Sequence, residues 1–372
     1  MSRESLRSRR SFLRRLGAGV VASVAAAGTS QVSASAAAGR EWQGSCDRKI
    51  RLGVVGGGFG AQFQWHQHPN CIVHAVSDLQ PVRRDLLMKV YRCERSYESL
   101  ERLIEDDQIE AVAVFTDAPS HGRHVLECLK RGKHVLCAVP AAMTLEDCQA
   151  IKEAKEHTGL HYMMAETSYY HEAVVRARNL YRAGTPLLYT EGQYYHHEVT
   201  RVPSWKGWRR ALPPMLYPTH STAYYVGVSG KRLVQVSCLG WRGPGEEWRQ
   251  NGWDNNPFAC ESSLFRTSEG TMCRINVFWW CDAGGETGSW IWTTSPTVAV
   301  EDRVSLPPGM DYGGHGGSHG PLTNEFIMAL IEGREPVIDI YESLAMVAPG
   351  IVAHQSALRD GESIRVPQFD RS

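Results

Sequence analysis

Short apolar segments alternate with amphipathic segments along the first half of the chain. Ile50–Val55 and Ile72–Ser77 are predicted as strands, and Ala111–Phe115 is a continuous apolar run of the kind found in parallel strands that are covered on both faces. Residues 121–131 and 145–158 have helical spacing. The other elements predicted in this half are a helix over 99–106 and strands over 134–137 and 161–164. This alternation predicts a doubly wound α/β sheet.

The second half has a different pattern, in which longer alternating segments are separated by Gly/Pro turns. The predicted strands are 187–195, 233–239, 263–267, 272–279 and 290–294, and the predicted helices are about 174–183, 322–332 and 341–358. We therefore predict an N-terminal doubly wound domain over 48–168 and a C-terminal α+β domain over 169–372. The second domain has a largely antiparallel open sheet, and its closing helices are candidates to pack back on the first domain.

Composition excludes several classes of protein. The 372 residues carry 40 Lys+Arg against 40 Asp+Glu, so no net charge would attract nucleic acid. After the N-terminal segment no apolar run approaches the roughly 20 residues that span a bilayer. The 11 Trp and 14 Tyr exceed the 9 Phe. That excess fits a sugar-binding surface, although ordinary core aromatics would also account for it.

The first 38 residues have the pattern of a twin-arginine signal peptide. Arg9-Arg10 precede a weakly apolar stretch over 16–27, and Ala34-Ser35-Ala36 offers a cleavage site. A basic amphipathic helix is the alternative. The signal predicts export by the twin-arginine machinery, to the periplasm or otherwise out of the cytoplasm. Because that route carries folded proteins, it favours a cofactor that is tightly held.

Neither cysteines nor histidines indicate a metal site. The ten cysteines form no CxxC pair, and most lie in apolar patterns where Cys acts as a small buried hydrophobe. The sequence alone does not pair them in disulfides. His196-His197-Glu198 resembles a ligand cluster, but adjacent histidines on a strand point to opposite faces. We therefore predict no metal.

A glycine motif follows the first strand directly. Gly56-Gly57-Gly58-Phe59-Gly60-Ala61 fits G-x-G-x-x-(G/A), and the helix expected after it would direct its N-terminus at a pyrophosphate. Asp78 ends the second strand twenty residues after Gly58, where an acid bonds ribose hydroxyls. These features predict a Rossmann domain that binds NAD. Arg83 and Arg84 keep NADP open as a less favoured cofactor.

Further cofactor contacts are expected beyond the carboxyl ends of the later strands, where doubly wound sheets bind their ligands. Thr116–Ser120 and Ala138–Pro140 follow two such strands and should border the nicotinamide. The residues predicted here are Thr116, Pro119, His121, Val139 and Pro140.

Four motifs carry a family resemblance. They are the glycine motif, Pro119-Ser120-His121-Gly122-Arg123-His124-Val125, the segment 132–140, and Tyr217-Pro218-Thr219-His220. Together they resemble the glucose–fructose oxidoreductase, inositol dehydrogenase and MocA superfamily over nearly the whole mature chain. The resemblance implies hydride transfer between a carbohydrate carbon and nicotinamide, with the substrate held by the second domain. It also implies a homo-oligomer that associates through the open C-terminal sheet.

One departure from the family separates this chain from ordinary dehydrogenases. Ala138-Val139-Pro140 stands where the family has Glu-Lys-Pro, so the lysine that helps to handle the substrate proton is replaced. Val139-Pro140-Ala141-Ala142, Glu166 to Tyr170 and Gly313-Gly314-His315-Gly316-Gly317 resemble NAD-dependent α-N-acetylgalactosaminidases, whose own glutamate is Ala138 here. Two alternatives to an oxidoreductase therefore stay open. One is a glycoside hydrolase or lyase that oxidises C3 transiently, and the other is a non-catalytic sugar-binding protein.

Tyr217 and His220 are the leading catalytic candidates, and Tyr170 is the third. Three residues apart at a helix start, Tyr217 and His220 would share a face, and His220 could take a hydroxyl proton while hydride leaves the same carbon. A capped helix with a structural histidine is the alternative. Candidate substrate contacts are Trp205, Trp208 and His315. The first two could equally form a solvated rim, and the last could belong to a flexible turn.

Overall fold

The computed structural model describes residues 46–196, 207–243, 253 and 256–371. The predicted signal peptide over 1–38 and the predicted substrate contact Trp205 lie outside these residues. In the part of the chain that is described, no helix combines the length and the apolar character needed to cross a membrane.

The first half forms a six-stranded parallel sheet with the order β3-β2-β1-β4-β5-β6. Its strands are β1 Ile50–Val55, β2 Cys71–Ser77, β3 Ser96–Tyr97, β4 Ala111–Val114, β5 His134–Cys137 and β6 Tyr162–Met164. Its helices are α1 Pro81–Tyr91, α2 Leu100–Leu103, α3 His121–Lys130 and α4 Leu145–Thr158. The strand order reverses between β1 and β4, which opens a crevice at their carboxyl ends. The predicted doubly wound sheet is confirmed.

The helix expected after the glycine motif is absent, and that prediction is wrong. Phe59–Gln62 and Trp65–Gln67 form two short 3-10 turns instead. Phe63 and Trp65 are fully buried with stacked rings 5.8 Å apart. Residues two apart do not share a face of an α-helix, so burying both rings requires the chain to leave helical geometry here.

The second half forms a mixed sheet with the order β11-β7-β10-β9-β8-β12. Only β7 and β10 pair in parallel, so the predicted largely antiparallel sheet is confirmed. Its strands are β7 Leu187–His196, β8 Leu233–Trp241, β9 Cys260–Thr267, β10 Met272–Phe278, β11 Gly284–Trp292 and β12 Ile364–Arg365. The helices are α5 Glu172–Arg182, α6 Thr219–Thr222, α7 Val226–Ser229, α8 His319–Glu332 and α9 Ile340–Ala357. β11 begins six residues before the expected strand, because its first half is glycine-rich and lacks the apolar alternation.

The C-terminal segment joins the two sheets. The backbone of Met164 in β6 donates to Ile338, 3.1 Å away, and the Tyr341 hydroxyl donates to Glu156 Oε1, 2.8 Å away. Both sheets contribute to one continuous hydrophobic core. The closing helices are therefore packed against the first half of the chain as well as against the second sheet.

A close backbone approach fixes α6 on the second sheet. A Cβ atom on Gly192 of β7 would lie 2.0 Å from the carbonyl oxygen of Ser221. Only glycine leaves room for this contact. The short helix that carries His220 is thus held directly against the strand.

Candidate active site

A crevice of about 270 Å³ runs along the carboxyl ends of β1, β2 and β4. Gly56, Gly58, Phe59, Asp78 and Thr116 are among its lining residues. Gly56 has a φ of 102°, and a Cβ atom there would lie 2.3 Å from the Phe115 carbonyl oxygen. The turn between the first strand and the crevice therefore requires glycine at this position.

The Asp78 carboxylate is held in the crevice by two backbone amides. The amide of Gly57 donates to Oδ2 at 2.7 Å, and that of Gln80 donates to Oδ1 at 2.8 Å. Arg84 donates from Nη1 to the backbone carbonyl oxygen of Asp78 at 2.9 Å. Arg83, by contrast, lines the crevice. A bare glycine turn and an oriented carboxylate are what a dinucleotide needs for its pyrophosphate and ribose, so these residues fit NAD.

Six of the predicted cofactor residues do not line the crevice. They are Gly60, Ala61, Pro119, His121, Val139 and Pro140. His121 is buried, and its ring bridges two carbonyl oxygens, with Nδ1 2.7 Å from Pro140 and Nε2 3.1 Å from Thr116. Burial lowers the pKa of His121, and a neutral ring donates to only one of these two carbonyl oxygens. His121 joins two loops and does not line the crevice, so its predicted role as a cofactor contact is corrected.

A second cavity of about 210 Å³ lies beside the crevice. Phe59, Phe115, Thr116 and Trp208 line both spaces, so the two are adjacent. The remaining wall of the second cavity comes from several distant segments and includes Val139, Tyr194, Arg209, Tyr217, His220, Glu286 and His315. The predicted pair Tyr217 and His220 is brought together there, with ring centroids 5.4 Å apart.

His220 and Glu166 form a buried ion pair at the base of the second cavity. His220 Nδ1 lies 2.8 Å from Glu166 Oε1, and both side chains are almost inaccessible to water. Burial would lower the pKa of His220, but the carboxylates of Glu166 and Glu286 raise it to about 10. Burial would raise the pKa of Glu166, yet the imidazolium keeps it below its ordinary value. His220 is therefore a charged donor, not the neutral base that the sequence suggests.

Glu286 brings a second carboxylate to the cavity. Its Oε1 lies 3.7 Å from His220 Nδ1, and its Oε2 accepts from the Ser168 hydroxyl at 2.5 Å. His171 Nε2 lies 3.6 Å from the same Oε2. Because Glu286 lines the cavity while Glu166 is wholly buried, Glu286 is the carboxylate that a ligand can reach.

Aromatic side chains surround the charged groups. The Tyr194 ring lies 4.8 Å from His220 and 5.7 Å from Trp279, and the Tyr217 ring lies 6.3 Å from Trp208. Arg209 donates from Nη2 to the Tyr217 hydroxyl oxygen at 3.1 Å, which leaves the hydroxyl hydrogen of Tyr217 free to donate to a ligand. The cavity thus combines flat apolar faces with hydrogen-bond donors, the mixture that suits a sugar.

A buried pair outside the cavity positions Tyr217. Glu261 Oε2 accepts from the backbone amide of Met215 at 2.7 Å, and Oε1 lies 2.8 Å from His354 Nδ1. Glu261 is fully buried, so this carboxylate fixes the turn that immediately precedes Tyr217. Sequence patterns gave no role to Glu261, because its partners come from α9 and from a loop far along the chain.

The other predicted site residues, Tyr170 and His315, line different cavities. Tyr170 does not reach the second cavity; it borders a different cavity beside Tyr312 and Arg303, so its predicted catalytic role is corrected. His315 does line the second cavity, with its ring 5.0 Å from Phe59, and burial lowers the pKa of His315.

The possible metal cluster is only partly described. His196 lines the second cavity, whereas its neighbours 197 and 198 lie outside the described residues. Within the described part of the chain, no group of three or more His, Cys, Asp or Glu side chains is arranged so that it could hold a metal ion.

Comparison with known proteins identifies the first domain. Residues 50–166 match a model of the GFO_IDH_MocA proteins, described as an oxidoreductase family with an NAD-binding Rossmann fold. The first domain thus matches this family over nearly its whole length. The matched range holds the glycine turn, Asp78, Val139 and Glu166. This finding confirms NAD as the cofactor and an oxidoreductase as the enzyme class.

Relatives from bacteria extend the likeness into the second half. A glycosyl hydrolase family 109 protein of Solibacter usitatus is 26% identical over 336 residues, which cover 73% of this chain and 74% of the relative. A glycosyl hydrolase family 109 protein 1 of Bacteroides thetaiotaomicron is 30% identical over 255 residues, which cover 61% of this chain and 55% of the relative. The chain therefore spans only about half of this second protein.

The complete fold is also found among solved structures. Levoglucosan dehydrogenase in complex with NADH and L-sorbose superimposes with a TM-score of 0.70, covering 87% of this chain and 100% of its own, at 16% identity. Identity at this level shows the fold alone. Both halves of this chain accordingly share the arrangement of that dehydrogenase.

Proposed function

We propose that the second cavity holds a carbohydrate from which hydride passes to NAD held in the crevice. The observation that carries this proposal is the junction of the two spaces at Phe59, Phe115, Thr116 and Trp208. When bound, NAD supplies the hydride acceptor. The protein supplies the binding surface for the sugar and the groups that handle its hydroxyl proton.

The side chains divide this work between donors and one acceptor. His220 Nδ1 is hydrogen-bonded to Glu166, so Nε2 is the ring nitrogen that is available to donate to the sugar oxygen. The Tyr217 hydroxyl lines the same cavity and is a second donor to the sugar. Glu286 lines the cavity as a carboxylate and is placed to accept the hydroxyl proton. Val139 contributes an apolar wall and no proton.

Single-turnover reduction of bound NAD tests this proposal. Protein purified with its cofactor is mixed with a panel of free sugars and glycosides, and the absorbance of the reduced nicotinamide is followed. Reduction by at least one sugar supports hydride transfer. If every sugar binds without reducing the cofactor, the chain is a carbohydrate-binding protein that retains an enzyme fold.

Glu286 favours a second candidate, net hydrolysis of a glycoside. A simple oxidation needs one proton acceptor, but this cavity offers Glu286 together with two donors, the charged His220 and the neutral hydroxyl of Tyr217. Hydride loss at C3 and proton loss from its hydroxyl give a ketone, which acidifies the hydrogen on C2. Loss of that proton and cleavage of the C1–oxygen bond release the aglycone, whose oxygen takes up a proton. Water then adds its hydroxyl at C1 and a proton at C2, and hydride returns to C3 while a proton returns to its oxygen, which restores the alcohol.

The two candidates differ in what accumulates. Oxidation yields one reduced cofactor per turnover, whereas hydrolysis releases aglycone with no net reduction. Hydrolysis also exchanges the C2 hydrogen with solvent, so product formed in heavy water carries deuterium at C2. The bacterial relatives are named glycosyl hydrolases, which supports testing glycosides. An aryl aglycone makes its own release visible by absorbance. Aglycone release without deuterium at C2 would exclude the oxidation–elimination route.

We also propose that the chain is exported folded by the twin-arginine machinery. The support is the Arg9-Arg10 pattern and the small-residue site at 34–36. Changing both arginines to lysine should retain the protein in the cytoplasm, and cell fractionation measures this. Unchanged export of that variant would point to another route.

The open face of the second sheet supports a homo-oligomer. Large apolar side chains project from it and are about half exposed or more, namely Leu188, Leu239, Trp241, Leu264, Met272 and Ile291. We propose that a second copy of the chain covers this face. Replacing Leu239 and Leu264 by lysine should give a monomer in sedimentation analysis. A wild-type protein that is already monomeric would refute the proposal.

A further inference from the structure

The wall of the second cavity contains a cation, Arg209, that is not paired with an acid among the described residues. Arg209 is half-buried there, and its guanidinium makes no ion pair with any residue that the structure describes. Its contacts are a hydrogen bond to the Tyr217 hydroxyl and two aromatic faces, Trp208 at 4.9 Å and Tyr217 at 5.2 Å. His220, the charged group across the cavity, is by contrast neutralised by Glu166.

The turn that presents Arg209 is anchored on both sides. Trp253 Nε1 donates to the carbonyl oxygen of Trp208 at 2.6 Å. On the other side, Asn256 Nδ2 donates to the Ala211 carbonyl at 3.0 Å, and Trp279 Nε1 donates to the Leu212 carbonyl at 2.7 Å. Asn256 and Trp279 are themselves buried. The guanidinium is therefore held in place against the cavity instead of moving freely in solvent.

Among the residues that the structure describes, most of the hydrogen-bonding capacity of Arg209 is unused. A guanidinium has five N–H donors in a planar fork, and only Nη2 is engaged by a side-chain acceptor within the described residues. A planar anion with two oxygens satisfies such a fork in a bidentate manner. We propose that Arg209 binds an anionic substituent, a carboxylate or a sulfate, on the carbohydrate in the second cavity. This inference rests on the proposed function and makes acidic saccharides the substrate class.

The charges in the cavity also orient the ligand. Glu286 is the carboxylate that a ligand can reach, and it repels an anion. The anionic substituent must therefore lie on the Arg209 side. The hydroxyl that loses its proton then lies towards Glu286 and His220. Acid recognition and chemistry thus occupy opposite parts of one cavity.

Matched sugars test the inference. The NAD-loaded protein is titrated with methyl glucuronide against methyl glucoside, methyl galacturonide against methyl galactoside, and the 6-sulfates of the two neutral glycosides. Quenching of tryptophan fluorescence reports dissociation constants. We expect at least one acidic member to bind about 10- to 100-fold more tightly than its neutral partner, the usual value of a charge-assisted hydrogen bond. Uronide and sulfate arms tell the two anions apart.

Arg209→Gln should reduce this preference towards equality. Arg210→Gln is the matched control, because Arg210 is the next residue of the same turn, carries the same charge, and is exposed outside the cavity. It should leave the preference unchanged. Tyr217→Phe removes the hydrogen bond to Arg209 but keeps the guanidinium, so turnover should fall while the preference persists.

Three results would overturn the inference. Equal binding of acidic and neutral partners by the wild-type protein removes its basis while leaving hydride transfer from neutral sugars intact. If Arg209→Gln and Arg210→Gln lose the preference for acidic saccharides equally, the preference comes from the general positive charge of the turn and not from Arg209. Failure of every saccharide to bind rejects the inference and the proposed function together.

Discussion

The crevice and the second cavity are neighbouring spaces built in different ways. The shape of the crevice depends mainly on the backbone. It comprises a glycine turn, a carboxylate held by two backbone amides, and the ends of strands that lie within the first domain. The second cavity is shaped by charged and aromatic side chains from segments as distant as Val139 and His315. The crevice depends on a position where only glycine fits, and the second cavity depends on the pairing of charged side chains such as His220 and Glu166. Substitutions in one should therefore leave the other largely intact.

Removing the charged donor should have the largest effect on chemistry alone. His220→Ala should slow single-turnover reduction of NAD by about 10²–10³-fold, because a preorganised donor to the developing charge is lost. Retention of NAD should not change, since His220 lines only the second cavity. Stopped-flow absorbance measures the rate, and mass spectrometry measures the retained cofactor.

The control for this variant removes the carboxylate that the first substitution leaves unpaired. Glu166→Gln combined with His220→Ala should be more stable than His220→Ala alone, yet equally slow. If the double variant recovers the wild-type rate, the ion pair is structural and the proposed site is wrong.

The second prediction concerns the crevice and uses two glycines. Gly56→Ala forces a side chain into a φ of 102° and against a carbonyl oxygen, and should destabilise the fold by on the order of 3 kcal/mol. Gly58→Ala is the control, because its nearest atom would be Arg83 Nη1 at 3.8 Å. It should melt like the wild type without cofactor and bind NAD less tightly. Thermal unfolding with and without NAD separates the two effects, and equal melting temperatures for both variants would contradict it.

The same contrast explains how much the sequence could predict. The glycine turn, Asp78 and the alternating strands are local patterns, so the first domain and its cofactor are readable from the chain. Tyr217 and His220 lie in one short motif, so the sequence also predicts that they lie close together, as they do. Glu286 and Arg209 acquire their roles only when β11 and a turn before α6 meet across the fold. Local spacing carries no signal for such contacts, and it equally failed to show that Tyr170 points elsewhere.

The third prediction tests the charge balance of the second cavity by pH. His220 has a raised pKa, so its contribution to stability is present below about 6.5 and is lost as the pH rises through about 10. Glu166 has a lowered pKa, so its contribution is present above about 4.5 and is lost as the pH falls through its folded value. Glu166→Gln should lower the pKa of His220 and cost about 1–3 kcal/mol at neutral pH.

Urea unfolding across a pH series measures this effect. The alkaline loss of stability should move to lower pH in Glu166→Gln. Glu172→Gln is the matched control, because Glu172 is an exposed acid six residues away whose ion-pair partner is Arg303 on the surface. Its pH profile should overlay that of the wild type. Identical profiles for both variants would show that His220 is not charged by Glu166.

The smallest effect is expected from the carboxylate of the crevice. Asp78→Asn keeps an oxygen for one of the two backbone amides, so the fold should persist. It removes the negative charge that bonds ribose hydroxyls and repels a 2′-phosphate, so NAD should bind about 5- to 10-fold less tightly while NADP gains. Arg83, already in the crevice, is the cation that would meet the phosphate.

Glu101→Gln serves as the control, because Glu101 lines the crevice but is neutralised by Arg123, 2.9 Å away. Calorimetric titration with both cofactors gives the ratio of affinities, and an unchanged ratio in Asp78→Asn would remove Asp78 from the ribose site. A change of sugar affinity in the same variant would show that the two spaces are coupled, against the independence inferred from how each is built.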